Sequence, residues 1–143
     1  MWKPKSEGEL LKTVLDKVQP RHPILTFTVP TSGSFITEGR VVPSPDVIIE
    51  NPATRQTIVI EFKGGSSMES VPYATVPQMR SLRTAFGFRN SKIMLISASE
   101  VPNFVKNALE KDHIEVIEAD SIEKAVEKLE EAISELEETQ ERD

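Results

Sequence analysis

Apolar and polar positions alternate with two different periods along the chain. Leu10, Leu11, Val14, Leu15 and Val18 recur at helical spacing. Ser6, with Glu9 three residues on, forms a capping-box pattern ahead of them, and Pro20 closes the segment. Over residues 23–30 the period falls to two, with Leu25, Phe27 and Val29 on one side and Ile24, Thr26 and Thr28 on the other, which predicts a strand. Thr31-Ser32-Gly33-Ser34 reads as a turn, and residues 35–42 as a further strand interrupted near Gly39-Arg40. Residues 45–65 read as two short apolar strands joined by the polar turn Asn51-Pro52-Ala53-Thr54-Arg55-Gln56. The irregular stretch from Gly64 to Thr75 is either a mobile substrate-facing loop or an ordinary strand-to-helix connection.

The second half reads as an alternation of helices and strands. Thr75 is the expected cap of a helix with Pro77 in its first turn, Val76, Met79, Leu82 and Phe86 inward, and Gly87 at its end. Ile93-Met94-Leu95-Ile96 is a continuous apolar run of the kind found in central buried strands. Ser99 is the expected cap of the next helix, with Val101, Phe104, Val105, Ala108 and Leu109 inward, and residues 114–117 predict another strand. A last helix starts at Asp120 or Ser121, with Glu123 placed for a capping box and a stripe of Ile122, Val126, Leu129, Ile133 and Leu136. That stripe suits docking on the chain's own sheet or, as the sharper alternative, a coiled-coil dimer contact. Strand, helix, strand, helix from Ile93 onward favours parallel pairing through right-handed crossovers, so the expected fold is a mixed α/β sheet flanked by helices.

Composition narrows the picture only in part. The 143 residues suit a single domain, 1–143, with an acidic helix and frayed tail over 120–143. No stretch approaches the ~20 apolar residues of a membrane span, and the N-terminus is followed by no run of the signal-peptide kind. The absence of cysteine excludes disulfides and thiolate metal sites, and a cytoplasmic location is the default expectation. The net charge of −6 is unevenly spread. Residues 120–143 hold ten acidic and three basic side chains, whereas residues 1–119 hold thirteen and fourteen, so the body can still present a basic face to phosphate.

The candidate chemistry lies in the paired strands of residues 45–65. Asp46, Ile48 and Glu50 share one face of the first strand, and Val59, Glu61 and Lys63 share one face of the second. If Glu50 pairs with Thr57, Asp46 falls opposite Glu61, with side chains ~5 Å apart. A slip of one residue would turn Glu61 away. Two carboxylates that close need a cation, a shared proton or Lys63 to offset their repulsion. Such a group suits metal-assisted phosphodiester cleavage; the plain alternative is a hairpin with charged edge positions.

Pro45-Asp46, followed by Glu61-Phe62-Lys63 at the close of the next strand, resembles the signature of the PD-(D/E)xK nuclease superfamily. That group includes restriction enzymes, DNA-repair nucleases, archaeal Holliday-junction resolvases and Mrr-like nucleases, the last two nearest in pattern. The resemblance implies a restriction endonuclease-like core of helix, three-strand meander, helix and strand, here with an extra C-terminal strand and helix. It implies Asp46 and Glu61 as ligands of Mg²⁺ or Mn²⁺, with the Phe62 carbonyl as a third, and Lys63 as the residue that orients water or stabilises developing charge. Glu9 on the first helix and Gln78 on the helix after the motif match further catalytic positions in type and rough place, although a capping role and simple exposure explain them equally well. Arg80, Arg83, Arg89 and Lys92 form the densest basic cluster and would bind backbone phosphates if their side chains converge. Arg40 and its neighbouring Ser/Thr/Gly turn are a further phosphate-binding candidate beside the reading of a solvated loop. The expected activity is a metal-dependent nuclease acting on DNA, including branched DNA, or on RNA, structure-selective or weakly sequence-selective and acting as a homodimer. The alternatives are a catalytically inactive module of the same fold that binds nucleic acid, and a protein-interaction subunit using its acidic last helix.

Overall fold

A computed structural model describes residues 4–31, 34–37, 40–66, 68–87 and 91–141. Helix α1 (Glu7–Val18) runs into a 3₁₀ turn over Gln19–Arg21 that contains Pro20. Strands β1 (Thr26–Thr28), β2 (Ser34–Thr37), β3 (Arg40–Pro43), β4 (Val47–Glu50) and β5 (Thr57–Lys63) follow. The chain continues through α2 (Thr75–Phe86), β6 (Lys92–Ser97), α3 (Asn103–Lys111), β7 (Ile114–Glu118) and α4 (Ile122–Glu141). Among the described residues the main sheet has five strands in the order β1-β4-β5-β6-β7. The β1–β4 and β4–β5 pairs are antiparallel, and β5–β6 and β6–β7 are parallel. The meander is therefore β1–β4–β5. The interrupted strand expected over residues 35–42 is instead the hairpin β2–β3, inserted between the first two meander strands as a sheet of its own.

Two apolar layers cover the sheet. Ile58, Ile60 and Phe62 of β5 and Val47 and Ile49 of β4 face α1 and α4, where they meet Leu10, Val14, Leu129 and Ile133. Ile48, Val59, Ile93 and Leu95 face α2 and α3, where they meet Val76, Met79, Leu82, Val105 and Leu109. The stripe of α4 is thus buried within its own chain. Each fully buried Leu, Ile or Phe contributes roughly 1.5–3 kcal/mol. A one-residue slip of β5 would push Glu61 and Lys63 into the α1/α4 layer and is strongly disfavoured. The β4–β5 turn fixes the same register. Asn51 N–H donates to Gln56 O (3.0 Å) and Arg55 N–H to Asn51 O (2.8 Å), with Arg55 in the left-handed region at φ 67°. Buried Asn51 also donates from Nδ2 to Leu136 O (3.3 Å), tying this turn to α4.

Several local expectations are revised. Ser6 Oγ accepts from Glu9 N–H (3.1 Å) as the capping pattern requires, but the Glu9 carboxylate reaches back to Lys5 N–H (3.3 Å). Thr75 is the first helical residue of α2, with Ala74 as an N-cap that makes no side-chain bond, and Gly87 ends that helix at an ordinary φ of −61°. Ser99 does not cap α3, whose N-cap is Pro102. Val101, Val105 and Leu109 are buried and Ala108 packs partly buried against the same core, but Phe104 is turned out, 61% exposed. Ser121 Oγ accepts from Lys124 N–H (3.1 Å), so it, and not a pairing of Asp120 with Glu123, opens α4. The helix continues through Glu137, expected in a frayed tail, whose carboxylate meets His22 Nδ1 at 3.2 Å. Part of the stretch after β5 is tied to the loop after β6: Val71 is buried, its N–H donates to Glu100 O (2.8 Å), and Ser70 bridges to Glu100.

Candidate active site

The observed β4–β5 pairing joins Glu50 to Thr57 and Val47 to Ile60, which brings Asp46 opposite Glu61 just beyond the end of β4. The Asp46 side chain is tied to β5 by a bond from Phe62 N–H to Asp46 Oδ2 at 2.7 Å. A strand residue's N–H and C=O face the same neighbour, so the Phe62 carbonyl lies on the Asp46 side of β5. Glu61 is only 3% exposed and lies on the α2 face of the sheet. There Gln78 Nε2, in the first turns of α2, donates to Glu61 Oε2 at 3.2 Å. Lys63, half-buried two residues on, acts electrostatically on both carboxylates.

The electrostatics follow from this crowding. Burial raises the Glu61 carboxyl to about 7, the Asp46 charge adds to the rise, and Lys63 opposes it. Burial also raises Asp46, partly offset by the Phe62 N–H and by Lys63. Asp46 Oδ2 is engaged by the Phe62 N–H, and the Glu61 carboxylate by Gln78 Nε2 and by the Asp46 backbone N–H. Hard oxygen donors, excess negative charge and a backbone carbonyl on the same side fit a divalent cation such as Mg²⁺, which commonly takes only one or two carboxylates. Among the described residues no group of three or more His, Asp or Glu side chains is arranged to hold a metal ion.

Glu7, which the sequence reading did not single out, is a further acid near this site. Its charge is felt at Glu61, whereas Glu9 is exposed and committed to the start of α1. Glu7 also lines, with Ser6, Gly8, Gly64 and Met68, an open cleft at the mouth of the site. The available signal was its place as the first residue of α1, at the helix end directed toward the β5 terminus. Past Lys63 the chain turns through Gly64 (φ 98°) and Gly65 (φ 142°). A Cβ on Gly64 would come within 2.6 Å of Ser99 N, so only glycine lets the two loops close together. Ser99 Oγ accepts from Gly65 N–H (3.2 Å) and donates to Met68 O (2.6 Å), which holds the end of β5 rigid.

The described members of the basic cluster, Arg80, Arg83 and Lys92, do not converge on one another. Arg80 pairs with Asp112 across α2 and α3, and Arg83 donates to Ser91 O at 3.0 Å. Lys92 pairs with Glu115 (2.7 Å) and Glu135 (3.3 Å). Because Lys92 sits beside Ile58 and Ser97 beside Lys63, Lys92 starts its strand about 10 Å along the sheet from Glu61 and about 17 Å from Lys63. The Arg40 side chain and Arg89 lie outside the described residues. No helix among the described residues is long and apolar enough to cross a membrane.

No protein-family model and no curated protein matches the chain. Among solved structures it is similar to a repair endonuclease from Pyrococcus abyssi, at 21% identity and a TM-score of 0.47, over 83% of this chain and 49% of that one. It is also similar to EndoMS in a complex with double-stranded DNA, at 19% identity and a TM-score of 0.49, over 83% of this chain and 46% of that one. The chain thus spans just under half the length of each.

Proposed function

We propose that this chain is a metal-dependent nuclease that hydrolyses DNA phosphodiester bonds. The observation that carries the reading is the β4–β5 register, which sets Asp46 against Glu61 at the end of a strand that closes in Lys63. Asp46, Glu61 and the Phe62 carbonyl would hold Mg²⁺ or Mn²⁺. When bound, such an ion supplies neutralising charge at the scissile phosphate and acidifies water. Gln78 fixes the Glu61 carboxylate through its amide hydrogen bond. The Lys63 ammonium orients the attacking water and stabilises negative charge as it develops on the phosphate oxygens. Glu7 adds negative charge at the same mouth and so favours retention of a cation.

The test is a cleavage screen with Mg²⁺ or Mn²⁺ on duplex, flap, four-way-junction and single-stranded DNA, with RNA in parallel. At least one DNA substrate should be cut, and chelation should abolish cutting. Asp46→Ala and Lys63→Ala should each lower the rate by at least about 100-fold, with thermal unfolding intact for both. Cleavage of none of these substrates, or wild-type cleavage by Lys63→Ala, would refute the proposal. Nucleic-acid binding that needs no ion and survives Asp46→Ala would favour a non-catalytic binding module.

A further inference from the structure

Two of the most exposed large apolar side chains stack on each other. The Tyr73 and Phe104 rings lie 6.0 Å apart, centroid to centroid, with 17° between their planes. They are 52% and 61% exposed. Tyr73 lies in the connection from β5 to α2, and Phe104 in the first turn of α3, after β6. Since β5 and β6 are parallel, both rings sit at the sheet end where β5 finishes in Glu61 and Lys63. Gln78, five residues after Tyr73, donates to Glu61 Oε2. The spacings of neighbouring strands and helices place the rings about 10–15 Å from the carboxylates, two or three nucleotides of an extended strand.

The pair is held in place. Val71, two residues before Tyr73, and Val101, three before Phe104, are buried, Val71 N–H is bonded to Glu100 O, and the Arg80–Asp112 pair ties α2 to α3. The Arg80 guanidinium, paired with Asp112, stays half-exposed seven residues after Tyr73. An aromatic face beside an arginine suits a flat, electron-rich ring on an anionic backbone.

We infer that Tyr73 and Phe104 form a stacking platform for an unpaired nucleobase of the strand that runs to the Asp46–Glu61 site. The inference rests on the nuclease reading for its substrate class. It selects substrates with single-stranded character, because a base within a duplex has no free face to offer.

The test measures affinity of the full chain for a fluorescent single-stranded oligonucleotide and for a blunt duplex, with Ca²⁺ replacing Mg²⁺ to suppress cleavage. The Tyr73→Ala, Phe104→Ala double variant should bind the single strand about tenfold or more weakly, with duplex affinity unchanged. Tyr73→Phe should retain wild-type affinity, while Phe104→Leu, which keeps apolar area without a π face, should not. A 2-aminopurine base in the strand should be quenched by the wild type and not by the double variant. Equal single-strand affinity in wild type and double variant would overturn the inference, as would an effect confined to self-association in sedimentation. If Asp46→Ala abolishes cleavage while the aromatic variants bind normally, the platform fails and the nuclease reading stands. If the aromatic variants lose binding but no substrate is ever cut, the reverse holds.

Discussion

Replacing Glu61 by Gln should stabilise the metal-free protein, and by an amount that depends on pH. The folded carboxyl titrates at about 7, against an ordinary value of 4.5. Below both values the group is protonated in either state and costs nothing. As pH rises from 4.5 toward 7 the unfolded chain loses this proton while the folded chain keeps it, so stability falls. Above about 7 the folded state carries the buried charge, and the full cost is about 3 kcal/mol at 1.36 kcal/mol per pKa unit. Glu61→Gln removes that term while its amide oxygen can still accept from Gln78. The stability gap between variant and wild type should therefore widen by about 2.5 kcal/mol between about pH 5 and about pH 8. Urea denaturation in chelator at the two pH values measures it. Saturating Mg²⁺ at the higher pH should narrow the gap by stabilising the wild type alone. A gap that does not change with pH would refute the argument that Glu61 is buried against an opposing carboxylate.

Two further outcomes follow from the surrounding structure. Gly64→Ala should destabilise by about 2 kcal/mol or more in urea denaturation, because φ is 98° and the new methyl would lie 2.6 Å from Ser99 N; an unchanged midpoint would contradict the described loop. For His22, burial lowers the imidazole pKa, but hydrogen bonds to Glu130 (2.6 Å) and Glu137 (3.2 Å) more than offset this and the net shift is upward. Its stabilisation is complete below the unfolded value of 6.5 and fades as pH rises through the folded one. His22→Gln should then cost about 1 kcal/mol at about pH 6 and less at about pH 9, and a cost equal at both would count against the paired imidazolium.

The strand register was legible because the sequence constrains it twice. Apolar residues on both faces of residues 58–62 leave Glu61 and Lys63 a single side, and the polar Asn51–Gln56 turn has a fixed length. Gln78 was legible for a related reason: it lies off the apolar stripe of α2, at the helix end that faces the β5 terminus. Glu7 was not, because the capping pattern drew attention to Glu9, and a residue's direction at a helix start depends on how the helix docks. Ser99 was misread for a tertiary reason. Its hydroxyl is taken by Gly65 N–H and Met68 O, contacts from a loop more than thirty residues earlier that no local rule anticipates. The β2–β3 insertion was hidden because a short hairpin and one interrupted strand share the same alternation.

The two helical layers differ in sign as well as in position. Helices α2 and α3 together hold four basic and one acidic residue, while α1 and α4 hold four basic and eleven acidic. The helices on the two faces of the sheet thus differ in net charge, and their own contribution to the field runs across its thickness. A polyanion drifting in from solution is turned by that field before it makes any contact, arriving with α2 and α3 leading and the acidic layer trailing. Added salt shortens the reach of this guidance to a few ångströms, so an encounter that is oriented in dilute buffer becomes a matter of chance collision in concentrated salt.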